Sequence, residues 1–236
     1  MKFLLLCALL LSCAFAFGSQ TYSNIDDSTS GWGSCTDPSC AGGQNPASAY
    51  WMAQFQSKPS LDGNSTEFYI ANTSPYANAL FWNKLGANDA VTHFQFSFGL
   101  RVDSASTAAQ ALEFDTFQFV AGQEYMFGTE CNYAAGVWDV WNGGANQWVH
   151  TSVSCAPFAP NKWHHVSIHV HRTSDTMMHF DTLTVDGVVY TLHLTEPSGP
   201  LPSGWSENMG VQFQLDTPAT DIAFHEWVDK VNLTVW

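Results

Sequence analysis

Positive charge is what this sequence has least of. Among 236 residues, Lys and Arg total 7 against 21 Asp and Glu, for a formal net charge of −14. Arg101 and Arg172 are the only arginines. Such a surface repels phosphate backbones, which excludes nucleic acid as a partner and disfavours anionic lipid. It also ranks a polysaccharide lyase low, because uronate chemistry needs basic or amide groups to neutralise the carboxylate. No apolar run beyond the first residues is long enough to span a bilayer, so no transmembrane segment is expected. A G-x-S-x-G nucleophile elbow and a nucleotide-binding glycine loop are both missing.

What is present reads as an exported β-protein. Charged residues make up 12% and aromatics 14% of the chain, unlike a disordered acidic tail. Lys2, the apolar run F-L-L-L-C-A-L-L-L and the small residues Ala14 and Ala16 form a secretory signal peptide over 1–18. Leu10-Leu11-Ser12-Cys13 is a rival lipoprotein signal with an atypical Leu before Ser12. The expected location is therefore secreted or extracellular, with periplasm or cell surface included.

Removing that segment leaves Cys35, Cys40, Cys131 and Cys155, an even number in an oxidising compartment. Four cysteines allow three pairings. Cys35–Cys40 and Cys131–Cys155 are preferred because each closes a local loop. The second is worth about 3 kcal/mol by chain entropy. S-C-T-D-P-S-C lacks the spacing of a zinc site.

Segment 19–48 is rich in Ser, Gly, Asp and Pro and reads as a disulfide-pinned lead-in loop. From 49 to 236, short runs of alternating apolar and polar residues are separated by turn residues. In V-T-H-F-Q-F-S-F, His93, Gln95 and Ser97 face opposite to Phe94, Phe96 and Phe98. Asn142-Gly143 and Asp186-Gly187 mark tight hairpins. No amphipathic helix stands out; Ser104–Gln110 is short enough to be a turn. Regular short strands with period-two alternation define an all-β sandwich.

N-K-W-H-H-V-S-I-H-V, from Asn161, and L-T-V-D-G-V-V-Y, from Leu183, resemble the core of laminin-G-like domains. H-E-W-V-D-K-V-N-L-T-V-W, from His225, is similar to the last strand of concanavalin A-like lectins and glucanases. The whole chain also resembles uncharacterised secreted bacterial proteins with a C-x-x-x-x-C-A-G-G start. The resemblance implies a concanavalin A-like jelly roll, two antiparallel sheets with a ligand on the concave one. It allows a structural calcium ion, although no Asp-rich ligand loop marks a site.

The same resemblance gives A-L-E-F-D-T-F-Q-F-V its interest. Related β-glucanases carry E-x-D-x-E on a concave strand. Here Glu113 and Asp115 match its first two positions, while the third is Phe117, which has no proton to give. Glu130, on the following strand, is the candidate second carboxyl of an endo-acting hydrolase, but its register against Glu113 cannot be read from sequence. The alternative is that Glu113 and Asp115 accept hydrogen bonds from sugar hydroxyls. Trp138 and Trp141, three apart, cannot share a strand face, so one is core and the other a candidate stacking platform. Gln212, Gln214 and Asp216 form a polar row opposite Val211, Phe213 and Leu215. His169 and His171 share a face and read as an outward polar row rather than a metal site. The expectation is a lectin-like protein binding a neutral polysaccharide or glycan through Glu113, Asp115, Trp138 or Trp141, Gln212 and Gln214. A hydrolase using Glu113 and Glu130, and an adhesive module without a sugar site, are the alternatives. No cofactor beyond calcium is called for, and the oligomeric state is open.

Overall fold

The computed structural model describes residues 18–39 and 44–236. Residues 1–17 of the expected signal peptide, and Cys40 with its expected bond to Cys35, lie outside the described residues. The strands in chain order are β1 (Gln20–Tyr22), β2 (Trp32–Cys35), β3 (Asn45–Pro46), β4 (Ala49–Ala53), β5 (Thr66–Ala71) and β6 (Ala77–Gly86). Next come β7 (His93–Val102), β8 (Ala111–Val120), β9 (Gln123–Phe127), β10 (Thr129–Asn132), β11 (Val137–Asn142) and β12 (Gln147–Ser154). The last are β13 (Trp163–Arg172), β14 (Met177–Val185), β15 (Val188–Pro197), β16 (Gly199–Pro200), β17 (Asn208–Asp216) and β18 (Ala223–Val235). Ser104–Gln110 holds only a short 3-10 turn, Ala105–Ala108.

These strands build two sheets. Sheet I runs β15-β14-β13-β7-β18-β5-β4, with β1 added against β18. Sheet II runs β12-β11-β10-β8-β17-β6-β2, with β9, β16 and β3 attached. Pairing is antiparallel apart from a two-residue contact of β3 with β6. The lead-in segment 19–48 thus supplies β1 to sheet I and β2 and β3 to sheet II. Its 3-10 turn Ile25–Asp27 docks on β18, where the Val231 amide donates to Asp26 Oδ1 at 2.8 Å.

Period-two alternation fills the space between the sheets with phenylalanine. Phe94, Phe96 and Phe98 of sheet I and Phe81, Phe114 and Phe213 of sheet II are all fully buried. They meet ring to ring across the sandwich, Phe98 with Phe114 at 5.1 Å and Phe96 with Phe213 at 5.6 Å. Each such ring buries roughly 150–250 Å². His93, Gln95 and Ser97 take the opposite face, as their alternation predicts. The rings of His93 and His171 stack there at 5.0 Å, and His171 Nδ1 lies 2.8 Å from Asp181.

The turns follow their residues. Asp186 and Gly187 sit at φ 49° and 82° between paired Val185 and Val188, the two-residue hairpin with left-handed central residues. After Asn142 the hairpin closes over four residues, 143–146, before Gln147. Asn142 Oδ1 accepts the Ala145 amide at 2.8 Å and Asn146 takes φ 53°. Cys131 on β10 and Cys155 just after β12 form the expected disulfide, with Cα atoms 5.6 Å apart.

Candidate functional site

Strand β8 lies inside sheet II and is buried along its whole length. Leu112 and Phe114 point into the core between the sheets, so Glu113 and Asp115 point to the outer face of sheet II. Register then settles what alternation could not. Glu113 stands opposite Gln214 of β17 on one side and opposite Glu130 of β10 on the other. Glu130 in turn faces Asp139 of β11, and Asp139 faces His150 of β12. One cross-sheet row therefore reads Gln214, Glu113, Glu130, Asp139, His150. The next row reads Trp82 of β6, Gln212 and Asp115.

Amides hold the acids in place. Gln214 Nε2 donates to Glu113 Oε1 and, at 3.1 Å, to Asp216 Oδ1. Gln212 Nε2 donates to Asp115 Oδ2 at 2.6 Å, and the Thr129 amide donates to Asp115 Oδ1 at 3.0 Å. Asn132 Nδ2 bridges Glu130 Oε1 at 3.1 Å and Asp139 Oδ2 at 2.9 Å. His150 Nδ1 lies 2.5 Å from Asp139 Oδ1, with the imidazole largely in solvent. The row thus begins in a dry acidic centre and ends in a histidine at the surface.

These carboxyls are not bathed in water. Glu113 is 7% exposed, Asp115 1%, Glu130 4% and Asp216 9%. Burial therefore dominates their titration. It raises Glu113 well above the usual carboxylate range, helped by the charges of Asp216, Asp115 and Glu130. Glu130 is pushed to about 9 by burial, then by Asp216 and Asp139. Asp115 rises to about 7 by burial, against the opposing hydrogen bonds of Gln212 and Thr129. Asp216 also rises to about 7, again from burial first. One oxygen from each of Glu113, Glu130 and Asp216 lies within 4.8 Å of the others.

Indoles flank the acids. Trp141, on the outer face, pairs with Trp148 across the β11–β12 hairpin, ring centroids 5.2 Å apart. Gly128 makes room for both: a Cβ there would meet the Trp141 Cβ at 2.8 Å and the Trp148 ring at 3.2 Å, with Asp115 Oδ1 at 3.5 Å. On the other flank, the Trp82 ring lies over Gly33, where a Cβ would meet it at 2.5 Å. Trp138 is the core member of the expected pair: it is 3% exposed and packs on Phe114 and Phe158. As a stacking platform it is corrected to a core residue, since its neighbour Asp139 already occupies the outer face.

The sequence groups Glu113, Asp115, Gln212, Gln214 and one of Trp138 or Trp141, and offers Glu130 only as the second carboxyl of the alternative hydrolase; the structure brings the first four, Trp141 and Glu130 to one face. The sequence reading names Asp216 only as part of a polar row, and it misses Trp82, Trp148 and His150. Alternation gives a signal for the first two of these: Phe81 and Val149 are core-directed, so Trp82 and Trp148 point outward. Nothing in the local sequence signals the Asp139–His150 contact, which depends on the hairpin register.

No protein-family model and no curated protein matches the chain. Solved structures share its fold. Cip1, a cellulose-induced protein, superposes with a TM-score of 0.56 at 8% identity, over 90% of this chain and 96% of its own. Winged bean acidic lectin, solved with methyl-α-D-galactose, gives 0.48 at 14% identity over 92% and 98%. A structure of carbohydrate-binding modules from the β-sandwich superfamily gives 0.47 at 10% identity over 92% of this chain; the chain spans 62% of it, under two thirds. The protein is thus an all-β, two-sheet antiparallel sandwich, a fold it shares with Cip1.

Proposed function

We propose that the protein is a secreted, lectin-like β-sandwich that binds a neutral polysaccharide or glycan on the outer face of sheet II. The observation carrying this reading is the pair of cross-strand rows in which Gln212, Gln214, Glu113 and Asp115 lie between Trp82 on one flank and Trp141 and Trp148 on the other. Sugar recognition uses that combination: an indole covers the apolar face of a pyranose while a half-buried amide such as Gln212, held in place by the buried Asp115, bonds its hydroxyls. Several proteins of this fold are described by their names as lectins or carbohydrate-binding modules, which agrees with the reading. The acidic, arginine-poor surface favours an uncharged ligand.

A second reading is favoured by one observation, the direct opposition of Glu113 and Glu130. A glycoside hydrolase is built on two carboxyls facing the same bond, one protonated and one ionised. One carboxyl oxygen of each lies within 4.8 Å of the other. Both are held by amides within the sheet, so binding is the preferred reading.

The test is a glycan and polysaccharide array run beside a reducing-sugar assay. Saturable binding without turnover, lost in Trp141→Ala, is the expected result. Release of reducing ends, abolished in Glu113→Gln, would establish the hydrolase instead. Neither signal would leave a structural or adhesive module and defeat both readings.

A further inference from the structure

Sheet I has an outer face of its own, and a hollow opens in it. On β7, Phe96, Phe98 and Leu100 are buried between the sheets, so Ser97 and Gly99 face outward. Register sets Gly99 between His165 of β13 and Asp229 of β18, and Ser97 between Ser167 and Asn232. Gly99 forms the floor: a Cβ there would fall 2.7 Å from Leu61 Cδ1 and 3.5 Å from the Trp163 ring. Leu61 and Trp163 are thus the walls. The hollow measures about 360 Å³, within the roughly 300–1,000 Å³ of small-molecule sites.

Its polar groups are left over from folding. Among the described residues, the Ser97 hydroxyl, the His165 imidazole and the Lys230 ammonium, all lining the hollow, make no hydrogen bond to another residue. Asp186, the acid at the rim, is already engaged. Its Oδ2 lies 2.7 Å from His164 Nδ1, and its Oδ1 accepts the His165 amide at 2.8 Å. Lys230 is held in a special place. It takes φ 54° where the register of β18 shifts between Asp229 and Asn232, and Asn232 Nδ2 donates to its carbonyl at 2.6 Å. Such irregularities re-aim side chains and collect at functional sites.

Charge points to the kind of ligand. The ion pairs among the described residues all use histidine, so Lys230 has no carboxylate partner. Arg101, opposite Trp163 in the register, adds a second cation to this face, bonded only to the neutral Asn161. On a chain of net charge −14, two cations without acids beside an indole form a local complement to an anion.

We infer that this hollow on sheet I is a separate site for a carboxylate-bearing sugar. The sugar ring lies against Trp163, its carboxylate meets Lys230, and its hydroxyls bond Ser97 and His165. The site is on the opposite side of the sandwich from the Glu113 row and does not rest on the reading given for that row.

The experiment titrates the disulfide-intact mature protein with methyl glycosides of glucuronic, galacturonic and N-acetylneuraminic acid. Methyl glucoside and methyl galactoside serve as the uncharged counterparts. Calorimetry and tryptophan fluorescence report binding at low and at raised salt. At least one acidic glycoside should bind saturably, at least about tenfold tighter than the uncharged ones, and more weakly as salt rises. Lys230→Gly removes the ammonium while suiting the left-handed φ, so the fold is kept. Both it and Trp163→Ala should weaken acidic-glycoside binding at least about tenfold, and Lys230→Arg should retain it. Lys230→Gly should leave the binding of neutral polysaccharides unchanged, which separates this site from sheet II. If no acidic glycoside binds the unsubstituted protein, or the uncharged ones bind equally well, the site is overturned. Acidic-glycoside binding that survives Lys230→Gly and Trp163→Ala belongs elsewhere and overturns it equally.

Discussion

Glu113 and Glu130 are direct cross-strand partners on β8 and β10, each with its far side against another polar residue, Gln214 or Asp139. Like charges placed directly opposite destabilise a sheet. Their burial under the outer face, with raised pKa values, marks this row as the place where the molecule departs from simple packing.

Trp141 and Trp138 are expected to respond differently to truncation. Trp141→Ala should cut glycan affinity by about tenfold or more, in line with a stacked aromatic anchor, while leaving the fold intact. Trp138→Ala should cost about 3–5 kcal/mol of stability, the range for a large core aromatic. Array binding and urea denaturation of the two variants separate these effects, and a Trp141 variant with undiminished binding would remove this face from recognition.

The buried acids set the pH dependence of stability. Asp26, Asp115 and Asp216 are raised to about 7 and Glu130 to about 9, burial being the first cause in each case. In an unfolded chain they titrate near 4. Between those values the native state holds more protons, so stability falls as pH rises. The contribution is full below about pH 4, is lost through about pH 7 for the three aspartates, and through about pH 9 for Glu130. Measured in EDTA, Tm at pH 5 should exceed that at pH 8 by about 5 °C or more. A Tm that stays level or climbs with pH would contradict the burial of these groups.

The Cys131–Cys155 bridge joins residues 24 apart in sequence. Chain entropy gives a loop of that size a stabilisation of about 3 kcal/mol. A Cys131→Ala/Cys155→Ala double variant should lower the denaturation midpoint accordingly without changing the far-UV spectrum.

Gly210 on β17 is placed where no side chain fits. A Cβ there would fall 2.0 Å from the Asn83 carbonyl oxygen and 2.7 Å from the Phe117 ring. Gly210→Ala should destabilise by about 1–3 kcal/mol. If the variant instead unfolds at the same urea concentration, β6 and β17 are not in the close contact described.

Much of this architecture could be read in advance where a residue's neighbours in sequence decide its fate. Phe94, Phe96 and Phe98 alternate with polar residues, and the pleat alone sends them inward. Asp186-Gly187 supplies the two left-handed residues that its turn requires. Glu113 and Asp115 had to share a face. That this face would be dry was less apparent, because its flanking strands β17 and β10 are distant in sequence. The opposition of Glu113 to Glu130 was illegible for a similar reason: sliding one strand by a residue reverses every side chain, and only the completed sheet selects the register. Asp216 joined the cluster the same way, through β17 lying beside β8.

Strand β1 contributes three residues, Gln20–Tyr22, paired with Leu233–Val235 of β18. Those three close the flank of the final strand that β5 does not reach, since β5 ends its pairing at Val228. A chain trimmed past Tyr22 by a protease would uncover a short row of unsatisfied amides and carbonyls. Such a border invites a second molecule to zip on, so protein trimmed past β1 should elute as a larger species than untrimmed protein in size-exclusion chromatography.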